Sequence, residues 1–116
     1  MSKYTIYHNP RCRKSRETLG IMNENSIDPE ITLYLEDQLS ADEIKVLLEK
    51  LDMKASALIR KGEAIYKEKF RGKEMSEQDW IHAMVMYPKL IERPIVVKGK
   101  KAVLGRPPEN VLDLIG

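Results

Sequence analysis

The order of apolar and polar positions predicts short strands that alternate with helices. Tyr4–Tyr7 is a β-branched and aromatic run typical of a strand, and Pro10 ends it because proline cannot continue a hydrogen-bonded ladder. The spacing of apolar positions then becomes helical from about residue 14 to Asn25, and a second strand follows at 30–34. A strand, a helix and a strand of these lengths predict a βαβ unit with parallel strands and a right-handed crossover.

Residues 39–90 predict a helical insert. A capping box and an apolar stripe predict its first helix over residues 40–51, and short helical pieces are expected over 55–68. Ser76 begins a further helix that ends before Pro88. The predicted buried face of this helix consists of Trp80, Met84 and Val85.

The last part of the chain predicts a hairpin and a helix. Residues 94–97 and 102–104 form its strands, and the prolines at 107–108 begin a final helix. The apolar positions of that helix are Val111, Leu112 and Ile115. The order β-α-β, helical insert, β-β-α predicts an α/β fold, a thioredoxin-like mixed four-stranded sheet with helices on both sides. We expect a single domain over residues 1–116, with the insert at about 39–90.

Composition and charge argue against several classes of function. The 116 residues include 20 Lys and Arg against 18 Asp and Glu, and the net charge of +2 is too small to indicate a nucleic-acid partner. No apolar run is long enough to cross a membrane or to act as a signal peptide, so a cytoplasmic protein is expected. His8 and His82 lack a metal-ligand spacing, so we expect no metal site.

The candidate chemistry centres on Cys12, the single cysteine of the chain. It lies between a strand end and a helix start, where unpaired backbone N–H groups and the helix dipole stabilise an anion such as a thiolate. Residues 10–16 contain four cations and no acid, which favours the thiolate further. The same geometry binds tetrahedral oxyanions. Because one cysteine cannot form an internal disulfide, redox chemistry here requires an external thiol.

These residues also allow other interpretations. Cys12 could be a small buried hydrophobe, but the segment 8–16 is almost entirely polar, which favours a reactive thiol. Ser15 could hydrogen-bond the thiolate, cap the helix or do both. His8 could polarise the loop or be an ordinary residue at a strand end. Cys12, His8 and Ser15 are therefore the candidate catalytic residues.

Four separated segments resemble the glutaredoxin-coupled arsenate reductase family, often called ArsC-like, of the thioredoxin-fold ArsC/Spx group. Residues 7–16 resemble the active-site segment of that family. The other three segments are 57–60 with 66–68, 92–97, and 105–108 with the helix after it. The resemblance therefore covers essentially the whole chain.

The resemblance implies an enzyme in which Cys12 attacks arsenate, glutathione enters the adduct, and glutaredoxin completes reduction to arsenite. Glutathione, as a co-substrate, and glutaredoxin are thus the expected partners, and no tightly bound cofactor is expected. By position, Arg60, Arg93 and Arg106 match the three oxyanion-binding arginines of the family, and His8 matches its histidine near the nucleophile. Arginine suits an oxyanion because its planar guanidinium stays protonated and donates several hydrogen bonds.

The resemblance also implies a cis peptide bond before Pro94. Thioredoxin-like folds have a cis-proline at the start of the third strand, which neighbours the nucleophile loop, and Pro94 stands at the matching place. We expect Arg60, Arg93 and Arg106 to converge on Cys12 from separate elements.

One departure from the family keeps alternatives open. Arg13 and Lys14 stand between Cys12 and Ser15, where well-studied members have small residues, and an arginine in place of glycine restricts the backbone. A glutathione-dependent thiol reductase of another substrate is therefore an alternative. A second alternative is an Spx-type binding module that acts on RNA polymerase. That branch resembles a Cys-x-x-Cys switch, and Ser15 argues against it.

Overall fold

The computed structural model describes residues 3–115 and contains four strands and five α-helices within them. The strands are β1 (Tyr4–Tyr7), β2 (Glu30–Thr32), β3 (Ile95–Lys98) and β4 (Lys101–Leu104). The helices are α1 (Arg13–Glu24), α2 (Ala41–Leu51), α3 (Ala64–Lys69), α4 (Glu77–Met86) and α5 (Leu112–Ile115). Short 3-10 helices cover Ala55–Leu58, Pro88–Leu90 and Pro108–Val111. Among the described residues, no helix is long and apolar enough to span a bilayer.

The strands form one mixed sheet in the order β2-β1-β3-β4. β1 is parallel to β2 and antiparallel to β3, and β3 is antiparallel to β4. The two residues between β3 and β4 form a tight turn in which Gly99 has a φ of 61°, a conformation that glycine adopts at little cost. The predicted α/β fold with a mixed four-stranded, thioredoxin-like sheet is confirmed.

The chain divides into two compact units. The first comprises the chain up to Asp37 and from Arg93 onward, and the second is Gln38–Glu92. The sheet, α1 and α5 belong to the first unit, whose core consists of Ile6, Met22, Val96, Val111 and Leu114. The second unit contains α2, α3 and α4, and the isolated bridge between Ile59 and Ile91. That all of this is a single domain with an insert at about 39–90 stays a prediction.

Two helices of the second unit begin with a capping box, and the one at Ser40 is predicted from the sequence. The hydroxyl oxygen of Ser40 accepts a hydrogen bond from the Glu43 N–H, and the Glu43 carboxylate accepts one from the Ser40 N–H, both at 3.1 Å. Ser76 and Asp79 make the same reciprocal pair at the start of α4. Each box satisfies two backbone donors that a helix start leaves unpaired, which fixes where the helix begins.

The buried face of α4 differs from the prediction. Its buried residues are Ile81, Ala83 and Met84, whereas Trp80 and Val85 are only half-buried. The Trp80 ring instead packs beside Tyr66 and Phe70 of the same unit, with ring centroids 6.3 and 5.9 Å apart respectively. Trp80 therefore belongs to an aromatic cluster with Tyr66 and Phe70 and not to the stripe inferred from helical spacing.

One strand end and one buried helix face in the first unit also differ from the prediction. β2 ends at Thr32, not at residue 34, because the chain turns there and the Leu33 carbonyl accepts hydrogen bonds from the N–H groups of Glu36 and Asp37. In α5, Leu114 is buried and Leu112 is 45% exposed, contrary to the predicted face. The preceding 3-10 turn, with three residues per turn, shifts the buried positions to Val111 and Leu114.

Gly105, directly after β4, lies in close contact with α1 and with the start of β3. Its N–H donates to the Pro94 carbonyl at 2.8 Å. A Cβ atom at this position would lie 2.6 Å from Thr18 Oγ1 and 2.7 Å from Pro94 Cγ. Both contacts are shorter than carbon atoms tolerate, so only glycine fits here without displacing its neighbours.

We expect Gly105→Ala to lower the free energy of unfolding by about 1–3 kcal/mol, the usual cost of overpacking a filled site. Gly20→Ala is the matched control because Gly20 lies in α1 with no neighbouring atom within 4 Å of the added Cβ. In a helix that change is expected to stabilise by about 0.5–1 kcal/mol. Urea denaturation measures both changes, and a Gly105→Ala variant as stable as the parent would contradict the expectation.

Candidate active site

Cys12 stands at the N-cap of α1, where the loop after β1 enters the helix. Its backbone is extended, with φ −91° and ψ 123°, and its N–H donates to the Asn9 carbonyl at 2.9 Å. The Asn9 side chain accepts from the Arg11 N–H at 3.0 Å, and Arg16 of α1 donates to the Pro10 carbonyl at 3.0 Å. The loop is thus closed by its own hydrogen bonds, and the Cys12 side chain, 8% exposed, lies at the helix N-terminus.

The surroundings of the thiol favour its charged form. Burial raises the pKa of Cys12, but hydrogen bonds from the backbone N–H groups of Ser15 and Lys14 and the positive charges of Arg93 and Arg106 lower it by more. The pKa of Cys12 therefore lies below its ordinary value. Low exposure alone would suit an inert cysteine, but these donors and cations are those of a stabilised thiolate.

Arg93 and Arg106 are held together on the side of the thiol. Nη2 of Arg106 lies 3.9 Å from Cys12 Sγ, and Nε of Arg106 donates to the Arg93 carbonyl at 2.8 Å. Nε and Nη1 of Arg93 are buried and have no hydrogen-bond partner among residues 3–115. The Arg93–Pro94 bond is cis, the isomer expected above. The Arg106–Pro107 bond is also cis, which the sequence analysis does not anticipate.

His8, directly after β1, and Ser15, in the first turn of α1, are buried and contact each other. Nδ1 of His8 lies 2.5 Å from Ser15 Oγ, and Ser15 Oγ also accepts from the Asn9 N–H at 3.1 Å. Within the described chain the Ser15 hydroxyl makes no hydrogen bond to the thiol and does not cap α1. The backbone N–H of Ser15, and not its hydroxyl, lowers the pKa of the thiol. Burial lowers the pKa of His8, and the charge of Arg16 lowers it further.

Arg60 belongs to the other unit and has acidic partners there. Nη1 of Arg60 lies 2.9 Å from Glu63 Oε2, and Nε lies 3.3 Å from Glu92 Oε1. Its backbone N–H donates to the Leu90 carbonyl at 2.7 Å. The placement of Arg60 over Cys12, and hence the convergence of all three arginines, stays a prediction.

Sequence reasoning missed three residues that contact Arg60 or the loop around Cys12. Asn9 accepts or donates three of the hydrogen bonds around Cys12, and the Asn-Pro pair was a signal for such a turn. Glu63 and Glu92 both pair with Arg60. Glu63 lies three residues after Arg60, a spacing at which opposite charges often pair, and Glu92 lies directly before Arg93.

Arg13 and Lys14 do not restrict the backbone in the way that the sequence suggests. Both lie within α1, and among residues 3–115 the only non-glycine residues with positive φ are Ser26 and Asp52. The Arg13 side chain is 84% exposed, and its Nε lies 3.0 Å from Glu17 Oε1. Helical geometry accepts both side chains without strain.

The described residues contain no group of three or more His, Cys, Asp or Glu side chains that could hold a metal ion. What the arrangement offers is a stabilised thiolate, two nearby guanidinium groups and backbone donors at a helix N-terminus. That combination suits attack by sulfur on an anionic electrophile whose oxygens need donors.

Comparison with known proteins gives a consistent pattern. The sequence profile of the ArsC family matches residues 7–114. The chain is 51% identical to the protein YfgD of Escherichia coli over 113 residues, 96% of this chain and 95% of that protein. It is 40% identical to an arsenate reductase of Haemophilus influenzae over 112 residues, 95% and 97% of the two chains. An arsenate reductase structure from Vibrio cholerae superposes with a TM-score of 0.92 at 44% identity, covering 97% of each chain.

We expect the Cys12 thiol of the folded protein to titrate at a lower pH than the same thiol in the urea-unfolded chain. The rate of alkylation against pH measures both, and the chain has no other cysteine to interfere. The reason is that backbone N–H groups and guanidinium charges favour the thiolate only in the folded state. Equal midpoints in the two states would contradict a stabilised thiolate.

The same shift predicts a dependence of stability on pH. Because the folded state binds the thiol proton less tightly, the contribution to stability is fully present above the unfolded pKa. It is lost as the pH falls through the folded pKa. Subtracting the unfolding free energy of Cys12→Ser from that of the parent at each pH isolates this contribution.

Proposed function

Because the chain belongs to the ArsC family, we propose that it is an oxidoreductase that reduces arsenate to arsenite, with Cys12 as the nucleophile and glutathione and glutaredoxin as electron donors. The names of the relatives from Haemophilus influenzae and Vibrio cholerae support the substrate. The site supports the nucleophile, and the single cysteine supports the need for external thiols.

The observation that carries the proposal is the state of Arg93. Its guanidinium is always charged, yet two of its nitrogens are buried with no acceptor among the described residues. Buried donors of a cation without an acceptor are costly, and an anion bound beside Cys12 would reduce that cost. Arg106, which contacts both Arg93 and the sulfur, adds a second donor on the same side.

The chemistry follows from the number of thiols. In the proposed first step the Cys12 thiolate forms a bond to arsenic, and one arsenate oxygen leaves as water after protonation. Reduction from As(V) to As(III) then needs two electrons, which two thiols supply when they become one disulfide, while a second arsenate oxygen leaves as water with the two thiol protons. With one cysteine in the chain, we assign these thiols to glutathione and glutaredoxin, which finish as a mixed disulfide. Water then releases arsenite and returns the Cys12 thiol.

A second candidate is reduction of a mixed disulfide between glutathione and another partner. The exposed cations Arg11, Arg13 and Lys14 beside Cys12 favour it, because glutathione carries two carboxylates that such a surface attracts. In that reaction Cys12 would attack sulfur in place of arsenic. Dependence of turnover on arsenate separates the two candidates.

We expect NADPH consumption in a coupled assay with glutathione, glutathione reductase and glutaredoxin to require both arsenate and the Cys12 thiol. Cys12→Ser should reduce the rate to background, because a hydroxyl is not ionised near neutral pH. Omission of glutaredoxin should also reduce it strongly. Turnover of a glutathione mixed disulfide without arsenate turnover would instead select the second candidate.

We expect Arg93→Lys to lower kcat/KM for arsenate about ten- to a hundredfold, which corresponds to one charge-assisted hydrogen bond of about 1.5–3 kcal/mol. Lysine keeps the charge but loses the planar fork of donors. The control is Arg71→Lys, the same change at an exposed position of the other unit. Parent-like kinetics of Arg93→Lys would remove the argument from the unpartnered guanidinium. Arg60→Lys in the same assay tests whether the third arginine takes part.

A further inference from the structure

The contact between His8 and Ser15 is buried and has few partners. The two residues are 6% and 0% exposed. Nδ1 of His8 lies 2.5 Å from Ser15 Oγ, and the one other hydrogen bond of the Ser15 hydroxyl within residues 3–115 comes from the Asn9 N–H. This small network can be assigned hydrogen by hydrogen.

The Ser15 hydroxyl has one hydrogen to donate and lone pairs to accept with. The Asn9 N–H can only donate, so it occupies a lone pair of Ser15 Oγ. The hydroxyl hydrogen then has a single acceptor in the described chain, Nδ1 of His8. If Nδ1 carried a hydrogen instead, two donors would face Ser15 Oγ and the buried hydroxyl hydrogen would be unpaired, which is costly.

We infer that Ser15 is a positioning residue that holds His8 as the neutral tautomer with its hydrogen on Nε2, so that His8 presents a hydrogen-bond donor beside the nucleophile loop. The lowered pKa of His8, caused by burial and then by Arg16, is consistent with a neutral ring. Ser15 thus acts on the site through the imidazole and through Asn9, and its role differs from those predicted from the sequence.

Nε2 of His8, the ring nitrogen that does not contact Ser15, makes no hydrogen bond within residues 3–115. His8 lines a cavity of about 260 Å³ together with Asn9, Pro10, Arg11, Leu33, Leu35 and Glu36. A protonated Nε2 can donate to an acceptor, such as an oxygen of an anionic co-substrate, and cannot take a proton from an incoming thiol. This last step rests on the proposed function, whereas the tautomer does not.

Long-range ¹H–¹⁵N correlation spectra of ¹⁵N-histidine-labelled protein test the assignment without any assay of activity. We expect Nδ1 of His8 to resonate as an unprotonated ring nitrogen and Nε2 as a protonated one at neutral pH. Exposed His82 provides an internal reference for an unconstrained ring, and His82→Gln assigns the signals. A hydrogen on Nδ1, or a doubly protonated ring, would overturn the inference.

Ser15→Ala should move the His8 nitrogen shifts toward an average of both tautomers, and Ser15→Thr, which keeps the hydroxyl, should restore the parent pattern. Thr18→Val is the matched control, because Thr18 is a second fully buried hydroxyl of α1 that donates to the Lys14 carbonyl at 2.8 Å. It should leave the His8 shifts unchanged. Unchanged shifts in Ser15→Ala, or equal changes in Thr18→Val, would show that Ser15 does not position the ring. The parent spectrum decides the tautomer even if a variant does not fold.

Discussion

The first turn of α1 has backbone N–H groups with no carbonyl partner, and those of Lys14 and Ser15 lower the pKa of Cys12, the residue at the N-cap. Serine, threonine, aspartate and asparagine usually satisfy such donors with a side-chain oxygen, whereas this N-cap position is occupied by a cysteine. The group in the capping position is thus the group proposed to react. Any step that neutralises the sulfur therefore weakens the helix N-terminus as well.

The loop that carries the sulfur depends on interactions with both ends of the first unit. Asn9 makes hydrogen bonds to Arg11 within the loop and to the Ser15 hydroxyl. The Arg106 side chain contacts the Cys12 sulfur and donates a hydrogen bond to the carbonyl of Arg93. These contacts come from residues nearly a hundred positions apart in the chain. The site is consequently a property of the folded unit and not of the Cys12 segment alone.

The sequence predicts much of the fold because periodicity and capping are local. The order of elements along the chain, the capping box at Ser40 and the start of α1 near Cys12 follow from residues that are close along the chain. Trp80 and Leu112 were misplaced because their burial depends on packing partners and on a 3-10 turn, which helical spacing does not reveal.

The sequence predicted which residues form the site better than it predicted the contacts between them. Cys12 is conspicuous because four cations surround it, and the resemblance pointed to Arg93 and Arg106. The hydroxyl of Ser15 was assigned to the thiol or to the cap, because one sequence cannot say which of several nearby acceptors is in reach. The acidic partners of Arg60 are likewise a matter of tertiary distance.

The hairpin of β3 and β4 also bears on how the protein tolerates change. Ile95 pairs with Leu104, so Arg93 and Arg106, two residues beyond each, emerge at the open end of the hairpin. The strand register thereby sets the spacing of the two guanidinium groups, and a slip of one residue would turn one of them to the opposite face. The turn at Gly99 and Lys100 closes the far end, beyond the pair of Lys98 and Lys101. An epitope tag or a reporter domain inserted at that turn would therefore leave the arginines in place, which makes it the natural point for engineering this chain.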